Sequence, residues 1–313
     1  MNVKESFLKD VLEGLSSEPK KLSSKYFYDE NGDKLFHYIM AQPEYYLTCA
    51  EYEILQTHSL DILKRLHIDN GLRIIEPGAG DGFKTKILLE SAMKNKYDVV
   101  YNPIDISPNV MNILCNSLVK SYPHLKCEPI IADYFNLDGK FPDDQNKKLM
   151  LFLGSNLGNF NNTETSAIMD RFSSELKQGD YFLLGVDLVK DPHRILAAYN
   201  DARGVTSEFN FNLLLRINME LQANFNLDNF IHFPLYNPVF QQAESYLVSK
   251  VAHKVVISGT TIHFEAWEAL LTEISRKFTP GKIERLACQS GFTVLENFYD
   301  INRDFCCSLW EKL

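Results

Sequence analysis

The chain has no Cys-x-x-Cys pair, no internal repeat, no low-complexity tract and no apolar run near the roughly 18 residues a membrane-spanning helix needs. These absences exclude a zinc-ribbon or thioredoxin-type motif, a solenoid, a disordered linker and a helical membrane anchor. The six cysteines, Cys49, Cys115, Cys127, Cys288, Cys306 and Cys307, show no metal-ligand spacing against the histidines. Free thiols in a reducing compartment are therefore expected, and no metal. The amino terminus, Met-Asn-Val-Lys-Glu-Ser, carries charge where a secretory leader needs an apolar core, so the expected location is the cytosol. Basic charge is also short. With 32 Lys and Arg against 41 Asp and Glu, the net charge of -9 argues against broad binding to nucleic acid or to an anionic membrane. A monomer acting on a small molecule is expected.

What is present is an ordinary globular composition, 45% apolar and 23% charged over 313 residues, long enough for one large domain and a smaller partner. The stretch Leu72-Arg-Ile-Ile-Glu-Pro-Gly-Ala-Gly-Asp-Gly-Phe-Lys-Thr-Lys86 organises the rest. Its apolar run reads as a buried parallel strand, and the alternate glycines Gly78, Gly80 and Gly82 read as a strand-to-helix turn with bare backbone. Such a turn occurs as a plain connector in many α/β proteins, and it also lets a ligand lie against main-chain N–H groups. Glu76 at the strand tip suits a cationic ligand such as the sulfonium cofactor S-adenosylmethionine better than a pyrophosphate, which wants positive surroundings. A methyl-donor site is the first reading and a dinucleotide site the second.

Before the turn, apolar positions at helical spacing predict a helix over residues 3–15. Asn31 and Gly32 predict a turn, and Thr48-Cys-Ala-Glu51 has capping-box form. After it, strand-like and helix-like runs alternate from Val99 to Val186, with two further strands near residues 291–299 and 305–310, which predicts a doubly wound parallel sheet. Such sheets bind ligands at the carboxyl ends of their strands. Asp105 closes the second strand at the spacing where an acid takes ribose hydroxyls; Asp133 closes the third, and Asn159 follows the fourth. Helix capping for Asp105 and turn formation for Asn159 are the competing readings. Between residues 190 and 278 the rhythm breaks into a mixed α+β lobe with candidates Tyr199, Glu273 and Ser275. By alternation Glu273 and Ser275 share one strand face, a carboxylate beside a hydroxyl.

Several runs then occur in order over almost the whole chain: Tyr26-Phe-Tyr-Asp-Glu-Asn-Gly-Asp-Lys-Leu-Phe, Pro43-Glu-Tyr-Tyr-Leu-Thr-Cys-Ala-Glu, Leu151-Phe-Leu-Gly-Ser-Asn-Leu-Gly-Asn, Gly185-Val-Asp-Leu-Val-Lys-Asp-Pro, Ala198-Tyr-Asn-Asp-Ala, Gly204-Val-Thr and Glu273-Ile-Ser-Arg-Lys-Phe. Together they resemble the histidine N-alpha-methyltransferases of ergothioneine biosynthesis, a family that also includes fungal dimethylallyltryptophan N-methyltransferases. The resemblance implies a class I methyltransferase (Rossmann-like) sheet with a second α+β substrate-binding lobe. Residues 1–60 and 190–278 would build the lobe, 61–189 the S-adenosylmethionine domain, and 279–313 the strands completing its sheet. By motif match the cofactor would meet Gly78, Lys84, Asp105, Asp133 and Tyr134. The amino acid would meet Tyr45, Thr206, Asn159 and Tyr199 (the last two on its carboxylate), with Glu273 and Ser275 on its imidazole. Tyr28 would also meet the amino acid, and Tyr28, Tyr45 or bound water would steer the amine proton. Two positions depart from the family pattern: Ser245 stands where Met is usual, and Pro77 and Gly82 stand where Leu and Ser are more often found. The activity implied is methylation of the α-amine of a free amino acid, histidine first, to trimethylhistidine. The alternatives are another aromatic amino acid or amine, or a relative that binds cofactor without chemistry.

Overall fold

The structure is a computed structural model in which residues 3–105, 108–132, 137 and 144–313 are described. Helices α1 (Val3–Ser16), α2 (Glu30–Met40) and α3 (Tyr46–Arg65) come first. Strands and helices then alternate through β1 (Leu72–Pro77), α4 (Thr85–Lys94), β2 (Val99–Asp105), α5 (Pro108–Ser121), β3 (Lys126–Cys127), β4 (Ile130–Ile131), β5 (Lys147–Phe152), α6 (Asn162–Ser174) and β6 (Tyr181–Asp187). Next are α7 (Pro192–Ala198), α8 (Val205–Leu221), β7 (Phe230–Asn237), β8 (Gln242–Ser249), β9 (His253–Ile257), β10 (Thr260–Phe264) and β11 (Ala269–Arg276). The chain closes with α9 (Pro280–Gln289), β12 (Phe292–Tyr299) and β13 (Phe305–Lys312). Among the described residues no helix is long and apolar enough to cross a membrane.

The chain forms two compact units, Leu47–Val189 with Phe278–Leu313, and Met1–Tyr46 with Lys190–Lys277. In the first, strands pair in the order β12-β13-β6-β5-β1-β2-β3, with β4 also on β2. From β6 to β4 every pair is parallel, and β13 and β12 turn back antiparallel. Strand β1 is buried along its whole length, its charged Arg73 and Glu76 included, as a central parallel strand covered on both faces should be. The core gathers Ile75, Met150, Phe152, Phe182 and Leu184 of the sheet with Phe172 of α6 and Trp310 of β13. In the second unit, β11-β8-β7 form an antiparallel sheet and β9-β10 a hairpin. Leu247 and Leu270 of that sheet pack with Phe7 and Val11 of α1 and with Leu213 and Ile217 of α8.

Four local expectations are corrected. Asn31 and Gly32 lie inside α2, because Asp29 caps it one turn early, accepting from the Gly32 N–H at 2.7 Å. Helix α3 starts at Tyr46, and Glu51 does not cap it, because its carboxylate bonds elsewhere. The single third strand expected before Asp133 is broken into β3 and β4. Cys115 and Cys127 are joined as a disulfide, their Cα atoms 5.7 Å apart, because the chain folds back within 12 residues from α5 to β3; spacing alone does not reveal such a contact.

Candidate active site

In the sheet unit the glycine turn follows β1, and Gly78, Gly80 and Gly82 all take left-handed backbone, with φ of 72°, 54° and 62°. The N–H groups of Gly78 and Ala79 both donate to the Ile104 carbonyl, at 2.9 and 3.3 Å, which ties the turn to the end of β2 beside Asp105. Gly82 N–H donates to the Ala79 carbonyl at 3.0 Å, and Phe83 N–H to Asp81 Oδ1 at 3.0 Å. These four donors are used by β2 and by the turn itself, unlike the open N–H groups of a phosphate cradle. What the glycines contribute is space. A Cβ on Gly80 would meet no atom within 4 Å, whereas one on Gly82 would lie 2.7 Å from Leu114 Cδ1.

Glu76 is buried, and it accepts from Thr85 Oγ1 at 2.5 Å and from the Tyr101 hydroxyl. Burial pushes its carboxyl up to about 7, against the opposing effect of those two bonds. Its oxygens thereby tie α4 and β2 to the end of β1. A second buried carboxylate, Glu51 of α3, accepts from Lys84 Nζ and from the Gly154 N–H at 2.8 and 3.0 Å. A Cβ at Gly185 would sit 2.0 Å from Glu51 Oε1, so that glycine makes room for the carboxylate. Half-buried Asn159 ends a short 3-10 turn, Asn156–Asn159, after β5. Ser155, with φ 58°, starts that turn, and its Oγ accepts from the Asp187 N–H at 3.0 Å. Gly78, Lys84, Asp105 and Asn159 thus gather at the carboxyl ends of the neighbouring strands β5, β1 and β2. Asp133 and Tyr134 lie outside the described residues.

In the smaller unit, Phe36 of α2 joins two predicted tyrosines. Its ring meets Tyr28 edge-on at 5.6 Å and Tyr45 at 6.2 Å, with Phe209 of α8 at 6.0 Å. Asp201 caps α8 by accepting from the Val205 and Thr206 N–H groups at 2.9 and 2.7 Å. One turn on, Asn210 donates to the Thr206 carbonyl at 3.0 Å and accepts from Thr272 Oγ1 at 2.6 Å, which links Thr206 to β11. Strand β11 carries a bulge between Leu271 and Glu273, after which Glu273 pairs with Ser245 and Ser275 with Ala243. The bulge turns Glu273 and Ser275 to the face that Leu270 shares with Leu247. Burial raises the Glu273 carboxyl to about 7, with the Lys277 charge pulling it down. The Tyr199 hydroxyl donates to Ser275 Oγ at 2.7 Å, and Lys277 Nζ donates to both oxygens, at 2.8 and 2.9 Å.

The sheet unit fits an adenosylated sulfonium cofactor. The open space at Gly80 leaves room for a ligand against the backbone, and Asp105 closes β2, at the strand end where such sheets bind ligands. A family model described as "Histidine-specific methyltransferase, SAM-dependent" matches residues 7–312. The chain belongs to this methyltransferase family. It is an S-adenosylmethionine-dependent methyltransferase built on a class I sheet. Over 307 residues it is 34% identical to the histidine N-alpha-methyltransferase of Mycolicibacterium smegmatis, covering 97% of this chain and 94% of that protein. The Mycobacterium tuberculosis protein of the same name is 32% identical at the same coverage. Ergothioneine biosynthesis protein 1 of Neurospora crassa is 36% identical over 64% of this chain and 23% of its own length.

Glu51, Phe36 and Lys277 are the residues of this methyltransferase that sequence reasoning passed over. Glu51 was masked by its capping-box spacing. Lys277 did carry a signal, standing at i+4 in Glu-x-Ser-x-Lys and so on the same strand face.

Proposed function

We propose that this methyltransferase methylates the α-amino group of free L-histidine, in successive rounds to trimethylhistidine, as the names of its mycobacterial relatives suggest. The carrying observation is Glu273 and Ser275 on one face of β11, an acceptor and a donor matched to the two nitrogens of an imidazole. In this reading the sheet unit holds the cofactor through Gly78, Lys84, Asp105, Asp133 and Tyr134. Asn159 orients the substrate carboxylate with Tyr199, and Tyr45 and Thr206 complete the amino-acid site. Bound S-adenosylmethionine supplies an electrophilic methyl group on a good leaving group, so the chain chiefly has to position a neutral amine. The amino acid arrives as an ammonium, and Tyr28 and Tyr45 are assigned the steering of its departing proton. We also place the enzyme in the cytosol, as a monomer, with a product entering ergothioneine synthesis.

Turnover tested separately with L-histidine, L-tryptophan and L-tyrosine is expected to favour histidine. Ser245, small and paired opposite Glu273, makes a different aromatic amino acid the second reading, and rapid turnover of tryptophan without histidine would select it. Glu273→Ala should raise the histidine KM at least tenfold and leave cofactor binding within about twofold, because a charge-assisted hydrogen bond is worth roughly 1.5–3 kcal/mol. Asp105→Ala should do the reverse. Equal effects on both ligands would contradict the assignment.

A further inference from the structure

Of the six cysteines, Cys115 and Cys127 form a disulfide, and Cys49, Cys288, Cys306 and Cys307 are free. The bridge lies wholly in the sheet unit and joins α5 to β3, the two-residue strand that ends the pairing order. Both of its residues are half-buried, whereas Cys306 and Cys307 are enclosed in the core. A small thiol therefore reaches this pair more readily than the pair in β13. Each half of the bridge stands one contact from the glycine turn. On the α5 side, Leu114 precedes Cys115 and is buried, so near the turn that a Cβ on Gly82 would lie 2.7 Å from its Cδ1. On the β3 side, Cys127 pairs in register with Tyr101, whose hydroxyl donates to Glu76 just before the turn. Strand β3 meets β2 at only two registered positions, Val100 with Lys126 and Tyr101 with Cys127. A covalent link to α5 adds a constraint that so short a ladder lacks.

We propose that Cys115–Cys127 is a reversible thiol–disulfide site that sets the affinity for S-adenosylmethionine. The oxidised form holds α5 and β2 against the turn, and the reduced form lets that wall relax. The inference rests on the placing of the cofactor at the glycine turn, as read above, and not on the identity of the amino acid. The partner is a dithiol reductant of the class that keeps cytosolic cysteines reduced; in that compartment, where the reading above places the enzyme, a disulfide is usually transient and redox-sensing. One thiolate of the dithiol attacks a bridge sulfur, the S–S bond breaks, and its electron pair leaves on the other cysteine. The second thiolate of the reductant then displaces the first cysteine from the mixed disulfide. The two released cysteine thiolates take up the two protons the dithiol gave up, so the chain gains two thiols and the reductant becomes a disulfide. The reverse reaction takes a low-molecular-weight disulfide as oxidant.

The test is S-adenosylhomocysteine affinity, read by calorimetry on the full chain equilibrated either with a glutathione buffer rich in its disulfide or with excess dithiothreitol. Differential alkylation and peptide mapping should find Cys115 and Cys127 joined in the first state and both alkylated in the second. Reduction should weaken binding roughly fivefold or more, the lower end of ordinary coupling between sites. The KM for S-adenosylmethionine should rise by a similar factor, with kcat at saturation within about twofold. Linkage demands the converse: S-adenosylhomocysteine should shift the thiol–disulfide equilibrium toward the disulfide by the same factor, about 20 mV for a fivefold change in a two-electron couple. Cys115→Ser combined with Cys127→Ser should bind like the reduced enzyme and ignore dithiothreitol. Equal affinity in the two wild-type states overturns the proposal, as does a bridge that dithiothreitol does not open in the folded enzyme or a redox response that survives in the double variant. The wild-type comparison decides even where the double variant does not fold. If Gly80→Ala leaves S-adenosylhomocysteine affinity unchanged, the cofactor does not lie at the turn and that reading falls together with this inference. If Gly80→Ala weakens binding while oxidised and reduced enzyme bind alike, only the redox role falls.

Discussion

At the scale of single residues, the sheet unit depends on a buried carboxylate that joins distant parts of the chain. Glu51 joins Lys84, at the start of α4, to the backbone of Gly154, beyond β5. Removing it leaves a lysine and a backbone N–H without their acceptor in a poorly solvated place, and such unsatisfied groups cost far more than an average hydrogen bond contributes. Glu51→Ala is expected to lower stability by about 2–4 kcal/mol, read as the urea midpoint, and to weaken cofactor binding with it. Glu51→Gln retains an acceptor for Gly154 and should lose less. A Glu51→Ala midpoint equal to wild type would show that the contact carries no weight. Glu51 was legible only as a residue of a helix start, because the atoms that claim it lie 33 and 103 residues along the chain.

At the scale of elements, the turn after β1 and the bulge in β11 do the positioning. All three turn glycines have positive φ, yet their surroundings differ, and substitution should separate the two uses of glycine. Gly82→Ala adds a collision with Leu114 to the backbone strain, and should lower stability by about 2 kcal/mol or more. Gly80→Ala meets no protein atom, so it should cost only about 1–2 kcal/mol of stability while weakening S-adenosylmethionine binding, in calorimetry, more than Gly82→Ala does. The opposite ranking for the cofactor would mean that the space beside Gly80 is not where it lies. The turn and its helix were readable from three alternate glycines and a strand pattern. In β11, alternation gave Glu273 and Ser275 a shared face, but which face was beyond it. By strict period two, Leu270 and Glu273 fall on opposite faces, and the extra residue at Thr272 brings them to the same one.

At the scale of the whole molecule, two carboxyls among the described residues are raised from 4.5 to about 7, buried Glu76 in the sheet unit and part-buried Glu273 in the smaller one. A raised acid binds its proton more tightly folded than unfolded. Between pH 4.5 and 7 the folded chain keeps protons that the unfolded chain has released, so through these two groups stability falls across that window and levels off above it. Thermal midpoints measured from pH 4.5 to 7.5 should show this fall, and Glu273→Gln should flatten part of it; an unchanged slope in the variant would refute the assignment. The sequence by itself determined the doubly wound sheet, the glycine turn and the set of polar residues at the strand tips, because hydrophobic period and glycine placement act locally along the chain. Tertiary structure alone decided that Glu76 is an anchor, that Glu51 holds Lys84, and that Lys277 stands between Tyr199 and Ser275. Those roles depend on which distant atoms compete for each hydrogen and how much water is excluded around them, and neither is written in the spacing of residues.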